Sequence, residues 1–133
     1  MQWEFQIEEF EGKRMNENVI GEKSKAFAIR IVNIYKYLCD SQKEYVMSKQ
    51  LLRCGTSIGA NVAEGIHAIS KKEFIAKLNI SLKEAYETEY WLDLLRETEY
   101  INDSQYQSIN TDCTELIRLL TAIIKTAKKN LKK

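Results

Sequence analysis

Residues 51–66, Leu-Leu-Arg-Cys-Gly-Thr-Ser-Ile-Gly-Ala-Asn-Val-Ala-Glu-Gly-Ile, lie inside a sequence that otherwise reads as continuous helix. Gly55, Gly59 and Ala63 recur every four residues and so form one ridge with almost no side chain. A glycine inside a helix costs roughly 1 kcal/mol relative to alanine. That cost is offset where another helix backbone comes close enough to use the missing Cβ atoms. Ser57 and Asn61, in the same run, are available for buried hydrogen bonds between helices. The stretch predicts tight helix packing and an assembly, and it names no chemistry.

Working outward, helix 1 is expected from about Asn18 to Leu38. Its main stripe is Phe27, Ile31, Ile34 and Leu38, widened by Ile29, Val32 and Tyr35. Helix 2 spans about Tyr45 to Ile69, with Leu51, Cys54 and Ile58 as a seam beside the thin ridge. Ser70 and Glu73 fit a capping box that opens helix 3. The helix 3 seam is Phe74, Leu78, Ser81, Ala85, Thr88, Leu92 and Leu95; its small middle would suit the thin ridge of helix 2. Tyr90, Trp91, Leu92, Leu94 and Leu95 make the end of helix 3 apolar nearly all round, which asks for a second partner surface. Asn102 and Gln105 form a second capping box. Behind it Ile109, Cys113, Leu116, Leu120, Ile123 and Ala127 alternate steps of four and three, the spacing of bundle packing.

Short connections make consecutive helices antiparallel neighbours. The expected fold is all-α, an antiparallel up-down-up-down four-helix bundle over residues 18–130. An acidic N-terminal arm precedes it over 1–17, and a basic tail follows at 131–133. In the arm, Trp3, Phe5 and Ile7 stand at period two, which reads as a short strand, an extended segment on a neighbour, or a disordered arm.

The 133 residues suit one domain with a real core, and the absence of proline permits long helices. Apolar residues at 44% and charged residues at 29% exclude a chain that is disordered over most of its length. The longest uncharged stretch, Cys54–Ala63, is ten residues, whereas a membrane span needs about 20. No basic start followed by an apolar run is present, so no signal peptide is expected. Cys39, Cys54 and Cys113 are widely spaced and odd in number, the pattern of reduced thiols in a cytoplasmic protein.

A net charge of +1 conceals strong segregation. Residues 24–83 carry ten basic and four acidic groups; residues 84–115 carry one basic and nine acidic; residues 116–133 carry six basic and none acidic. Folded as a bundle, Lys23, Lys25, Lys71, Lys72, Lys77, Lys125, Lys128, Lys129, Lys132 and Lys133 gather at one end. Asp40, Asp93, Glu97, Glu99, Asp103 and Asp112 gather at the other. Helix 3 carries lysines at its start and carboxylates near its end, against its own macrodipole. A basic end attracts polyanions. It is also what a solvated bundle end with a soluble lysine tail, or a surface for an acidic protein, looks like. Aromatic residues do not interleave with these lysines, which argues against base stacking.

Catalytic motifs are absent. Gly55 to Gly59 lacks the Gly-Lys-Ser/Thr of a phosphate loop, and a lone His67 without a cysteine pair is no zinc site. No metal site and no cofactor is expected. One enzyme reading remains: Glu84 with Glu87, and Asp112 with Glu115, resemble the carboxylate pairs that hold magnesium in all-α nucleotide pyrophosphohydrolases. The seam positions around them turn Glu87 and Glu115 outward, as on a salt-bridged solvent face.

The run from Ser48 to Gly65, Ser-Lys-Gln-Leu-Leu-Arg-Cys-Gly-Thr-Ser-Ile-Gly-Ala-Asn-Val-Ala-Glu-Gly, closely resembles the signature of the four-helix bundle family of 23S rRNA intervening-sequence proteins. Glu22-Lys-Ser, Phe27-Ala, Ser70-Lys-Lys-Glu-Phe, Ser81-Leu-Lys-Glu84, Thr88 and Leu92 are similar to that family as well. The resemblance runs from about Asn18 to Lys125. The same family includes the accessory variability determinant of diversity-generating retroelements. What the resemblance implies is a homopentameric ring, nucleic-acid binding and, in the accessory branch, contact with a reverse transcriptase.

The reading is therefore a cytoplasmic, non-catalytic, homo-oligomeric accessory protein for RNA or DNA. Lys71, Lys72, Lys77, Lys125, Lys128 and Lys129 would meet phosphates, with Lys49 and Arg53 as additions if their face lines a channel. The rival is a protein-interaction scaffold that docks a reverse transcriptase or another protein; the magnesium pyrophosphohydrolase is a weaker third.

Overall fold

Four helices are present among the described residues: α1 (Gln2–Asp40), α2 (Met47–Ile66), α3 (Lys71–Glu97) and α4 (Asp103–Leu131). The computed structural model describes residues 2–131, with side chains from residue 16 through 131; Met1 and two lysines of the tail, Lys132 and Lys133, lie outside the described residues. No strand occurs among the described residues, and no helix there is long and apolar enough to cross a membrane.

Each helix packs on the one before it and the one after it, α4 returns to α1, and the diagonal pairs do not meet among the described residues. The core follows the apolar spacing. Ile20, Phe27, Ile31 and Leu38 are buried from α1, and Leu51, Cys54, Ile58 and Val62 from α2. All seven seam positions expected of α3 are buried, and Ile109, Cys113, Leu116, Leu120 and Ile124 close the core from α4. Each fully buried leucine or isoleucine contributes about 1.5–3 kcal/mol relative to exposure. Ile29 departs from the expected stripe: it is 56% exposed, two residues round the helix from the buried Ile31.

The Asn102 capping box forms in full and the Ser70 box by half, because the Glu73 carboxylate accepts from the Ile69 amide at 3.4 Å rather than from that of Ser70. The Ser70 hydroxyl accepts from the Glu73 amide at 3.1 Å. Asn102 and Gln105 accept from each other's amides, both at 2.8 Å. The start of α2 is built differently. Its first helical residue is Met47 rather than the expected Tyr45, because Glu44 folds its carboxylate over the helix end. There Glu44 accepts from the amides of Val46, Met47 and Ser48 at 3.0, 2.8 and 2.7 Å. The helix ends at Ile66, not Ile69, where the His67 cap amide bonds back to the Ala63 carbonyl.

The segment expected to be a strand, an extended stretch or a disordered arm is helical: α1 runs without interruption from Gln2 through residue 17 to Asp40. The segment lacks proline and is rich in glutamate and glutamine, so nothing stops helix propagation. The period-two reading of Trp3, Phe5 and Ile7 competes with the spacing of Trp3, Ile7 and Phe10, which steps by four and three as helices require.

The thin ridge of α2 meets α1, not the small middle of α3. A Cβ on Gly55 would lie 2.7 Å from the Ile31 side chain, and one on Gly59 would lie 3.2 Å from the Ser24 carbonyl oxygen. The small residues of α3 instead serve its contacts with the apolar seam of α2 and with α4. The Ser81 hydroxyl donates to the Ile58 carbonyl at 2.9 Å, Thr88 Oγ1 donates to Cys54 Sγ at 3.3 Å, and Cys113 Sγ donates to the Ala85 carbonyl at 3.4 Å. Ser57 and Asn61 do not bridge helices. Their side chains donate within α2, to the carbonyls of Arg53 at 2.7 Å and Ser57 at 2.9 Å. Short hydroxyl and amide side chains reach a carbonyl one turn back more easily than a neighbouring helix.

Residue numbers fall along one helix as they rise along its neighbour. Ser24 and Ile31 meet Gly59 and Gly55; Cys54 and Ile58 meet Thr88 and Ser81; Ala85 and Arg96 meet Cys113 and Tyr106.

Candidate nucleic-acid interface

The start of α3 and the end of α4 bring the lysines of residues 71–72 level with those of 125–129. From the Ala85–Cys113 contact, 14 residues back along α3 reach Lys71, and 14 forward along α4 reach Ala127. Lys71, Lys72, Lys125, Lys128 and Lys129 are all exposed there, and none has a salt bridge among the described residues. Lys128 and Lys129 sit in the last turn of α4, where cations complement the helix dipole. Lys71 and Lys72 open α3, where they oppose it.

The remaining expected contact residues are placed otherwise. Lys77 holds Glu64 across α2 and α3 at 2.9 Å, and that carboxylate raises the lysine pKa. Arg53 is taken by Glu84 at 3.3 Å and by Glu87 on α3, so its charge is locally neutralised. Lys49 is exposed near the start of α2, toward the opposite end of the bundle. Lys23 likewise pairs with Glu115 at 2.8 Å, a contact that raises its pKa, and Arg30 holds Asp112 and the backbone carbonyl of Ser108. Sequence reading assigned Arg30 no role; only the apposition of α1 and α4 reveals one.

The opposite end is acidic but internally organised. Arg96 lies among Asp93, Glu97 and Asp103 and stacks over the Tyr106 ring at 4.3 Å.

The four carboxylates considered for magnesium do not converge. Glu84 and Glu87 are bound by Arg53 on the side of α3 that faces α2, while Asp112 and Glu115 are bound by α1. Among the described residues no three His, Cys, Asp or Glu side chains are grouped to hold a metal ion. The two buried thiols, Cys54 and Cys113, are also poor nucleophiles. Burial, above all, pushes Cys54 up to about 11 and raises Cys113 further, and all three cysteines are free.

Along the outer junction of α1 and α2 runs an open furrow of about 340 Å³, floored by Gly21, Ala28, Gly59, Ala60, Ala63 and Ile66. Ala63, expected in the packed ridge, is exposed on its rim.

The thin-ridge sequence, its close approach to α1 and the four-helix core cover the same residues as a family model described as 23S rRNA-intervening sequence protein, which matches residues 16–122. The chain belongs to that family. It is also similar to a crystal structure of a protein with unknown function from the S23 ribosomal protein family of Bacteroides thetaiotaomicron. The two are 62% identical, the match covers 83% of this chain and 98% of that one, and the TM-score is 0.82. No curated protein matches the chain.

Proposed function

We propose that this family member is a non-catalytic, cytoplasmic, homo-oligomeric accessory protein that binds RNA or DNA phosphates through the lysine end of its bundle. The observation that carries the reading is a cluster of cations. Lys71, Lys72, Lys125, Lys128 and Lys129 are exposed at one end without a salt bridge among the described residues, whereas Lys23, Arg30, Arg53 and Lys77 are each matched to a carboxylate and other unmatched cations, such as Lys36, Lys83 and Arg118, are spread over α1, α3 and α4. Such contacts position a nucleic acid without reading its sequence.

The falling residue registers support an antiparallel up-down-up-down order for the bundle. A homopentameric ring is what the family resemblance implies, and support for an interface between copies comes from α2: between Arg53 and Glu64 it carries no charge, although Ala60 and Ala63 are exposed beside the furrow. An uncharged outer face over that length suits a second protein surface. A ring would multiply the modest charge of one protomer through multivalency.

The test is binding of a 20-nucleotide RNA as ionic strength rises. Five lysines neutralising phosphates of a single strand give a log–log salt slope of about −3.5 per protomer. Replacing all five by glutamine should abolish binding. No binding at low salt, or equal binding by the five-lysine variant, removes the reading.

A protein-interaction scaffold, with a reverse transcriptase or another protein as its partner, is the second reading. It is favoured by Tyr86 and Tyr90, 53% and 60% exposed on α3, with Tyr90 edge-on to Trp91. Partner capture that persists at high salt, with no RNA bound, would select it.

A further inference from the structure

The outer side of α3 is left uncovered by the bundle among the described residues. The helix packs between α2 and α4, and α1 lies diagonally across from it. Along the side turned away from its buried seam stand Lys83, Tyr86, Tyr90, Leu94 and Glu97, in steps of three, four, four and three. Leu94 is half-buried and the other four are exposed. The steps read the same from either end, with Tyr90 at the centre, a cation at one end and an anion at the other.

That order fits a second copy of the same helix lying antiparallel. With Tyr90 on a two-fold axis, equal rise along both helices sets Tyr86 opposite Leu94 of the second copy and Lys83 opposite its Glu97, and the axis repeats both contacts. A parallel helix in the same register would set lysine on lysine and carboxylate on carboxylate, so charge selects the antiparallel one. Both charges are open to such pairing. Lys83 has no salt bridge among the described residues. Glu97 is the last residue of α3, where a carboxylate opposes the helix dipole. Its cation among the described residues is the adjacent Arg96, at 3.4 Å, which already holds Asp93 and approaches Asp103. The flanking carboxylates Glu87 and Asp93, level with one another in this register, are each held by an arginine of their own chain.

We propose that two copies of this chain associate through the outer side of α3, antiparallel about a two-fold axis at Tyr90. The tyrosines and Leu94 supply an apolar, aromatic centre of the kind that protein interfaces favour. The exposed lysine–glutamate pairs at its two ends are weak singly and fix the register. This contact is separate from the α2 face invoked for the ring, and it rests neither on that ring nor on nucleic-acid binding.

The experiment exchanges the charges on the full chain. By sedimentation velocity at low ionic strength, Lys83→Glu alone and Glu97→Lys alone should each weaken association about tenfold, since like charges then meet at both ends. An equal mixture of the two variants should return to within about threefold of wild type, because each mixed pair again sets lysine against glutamate twice. A variant that was merely destabilised would not be rescued by mixing. Geometry is read separately on a Cys39→Ser background. Under mild oxidation Tyr90→Cys should give a disulfide between chains on a denaturing gel. Ala76→Cys, exposed on the same side but about 42 Å from its counterpart in this register, should not. A monomeric wild type, single variants that associate as wild type does, a mixture no tighter than the singles, or equal linking by Ala76→Cys overturns the proposal. Association abolished by Ala60→Glu on α2 but untouched by the α3 variants would keep the ring interface and remove the two-fold contact.

Discussion

Gly55→Ala tests whether α1 and α2 pack where the structure places them. The new methyl would sit 2.7, 2.8 and 3.0 Å from Cγ1, Cγ2 and Cδ1 of Ile31, a side chain with no exposed surface and no room to retreat. Alanine gains about 1 kcal/mol of helix propensity over glycine. Overpacking a rigid core costs about 1–3 kcal/mol, and three contacts this short belong toward the upper figure. The expected net loss is about 1–2 kcal/mol, a fall in Tm of about 4–8 °C for a chain of this size. Gly21→Ala is the matched control. Its methyl would meet only Ile66 Cδ1, at 3.4 Å, so propensity should prevail and Tm should rise by about 4 °C. Ile31→Val leaves both γ carbons in place and should not relieve the clash. Ile31→Ala costs about 2–5 kcal/mol alone, yet on that background Gly55→Ala should no longer destabilise. The assay is urea and thermal unfolding at one fixed protein concentration, because an oligomer couples stability to concentration. Should Gly55→Ala stabilise the protein as Gly21→Ala does, the ridge does not contact Ile31 and the packing argument fails.

Burial pushes the Glu44 pKa up, but the amides of Met47, Ser48 and Val46 together outweigh it, and its carboxyl is held below the ordinary value. Its stabilisation is therefore full above the unfolded pKa of about 4.3 and is lost as pH falls through the lower folded value. Glu44→Gln should cost about 1–2 kcal/mol at neutral pH, with the gap to wild type closing in acid; a gap that does not change with pH contradicts the capping role. Ser70→Ala should destabilise by about 1 kcal/mol through loss of the α3 cap, measured by urea unfolding, whereas Ser70→Asp should retain most of it. At neutral pH an aromatic disulfide reagent should label the half-buried Cys39 first and reach Cys54 and Cys113 only on unfolding, since both are buried with raised pKa values. Fast labelling of all three in the native state would show that the core is open.

Much of the bundle was legible in the chain. The α3 seam from Phe74 to Leu95 and the boxes at Ser70 and Asn102 are local patterns whose meaning depends on residues three or four apart, so spacing alone identifies them. The close approach at Gly55 and Gly59 was legible for the same reason: a missing Cβ inside a helix needs compensation from a neighbour. Which neighbour was not legible. Both the small middle of α3 and the backbone of α1 would accept the ridge, and only the assembled core assigned it to Ile31 and Ser24. The N-terminal segment was not legible in this way, because three apolar residues fit period two and helical spacing alike; α1 runs through it as helix. Of the lysines expected to meet phosphates, the sequence determined that those of residues 71–77 and 125–129 gather at one end, since that needs only helix order and short connections. Tertiary structure decided which remain unpaired: ion pairs such as Lys77 with Glu64 and Arg53 with Glu87 join residues on different helices, and no spacing along the chain records that distance.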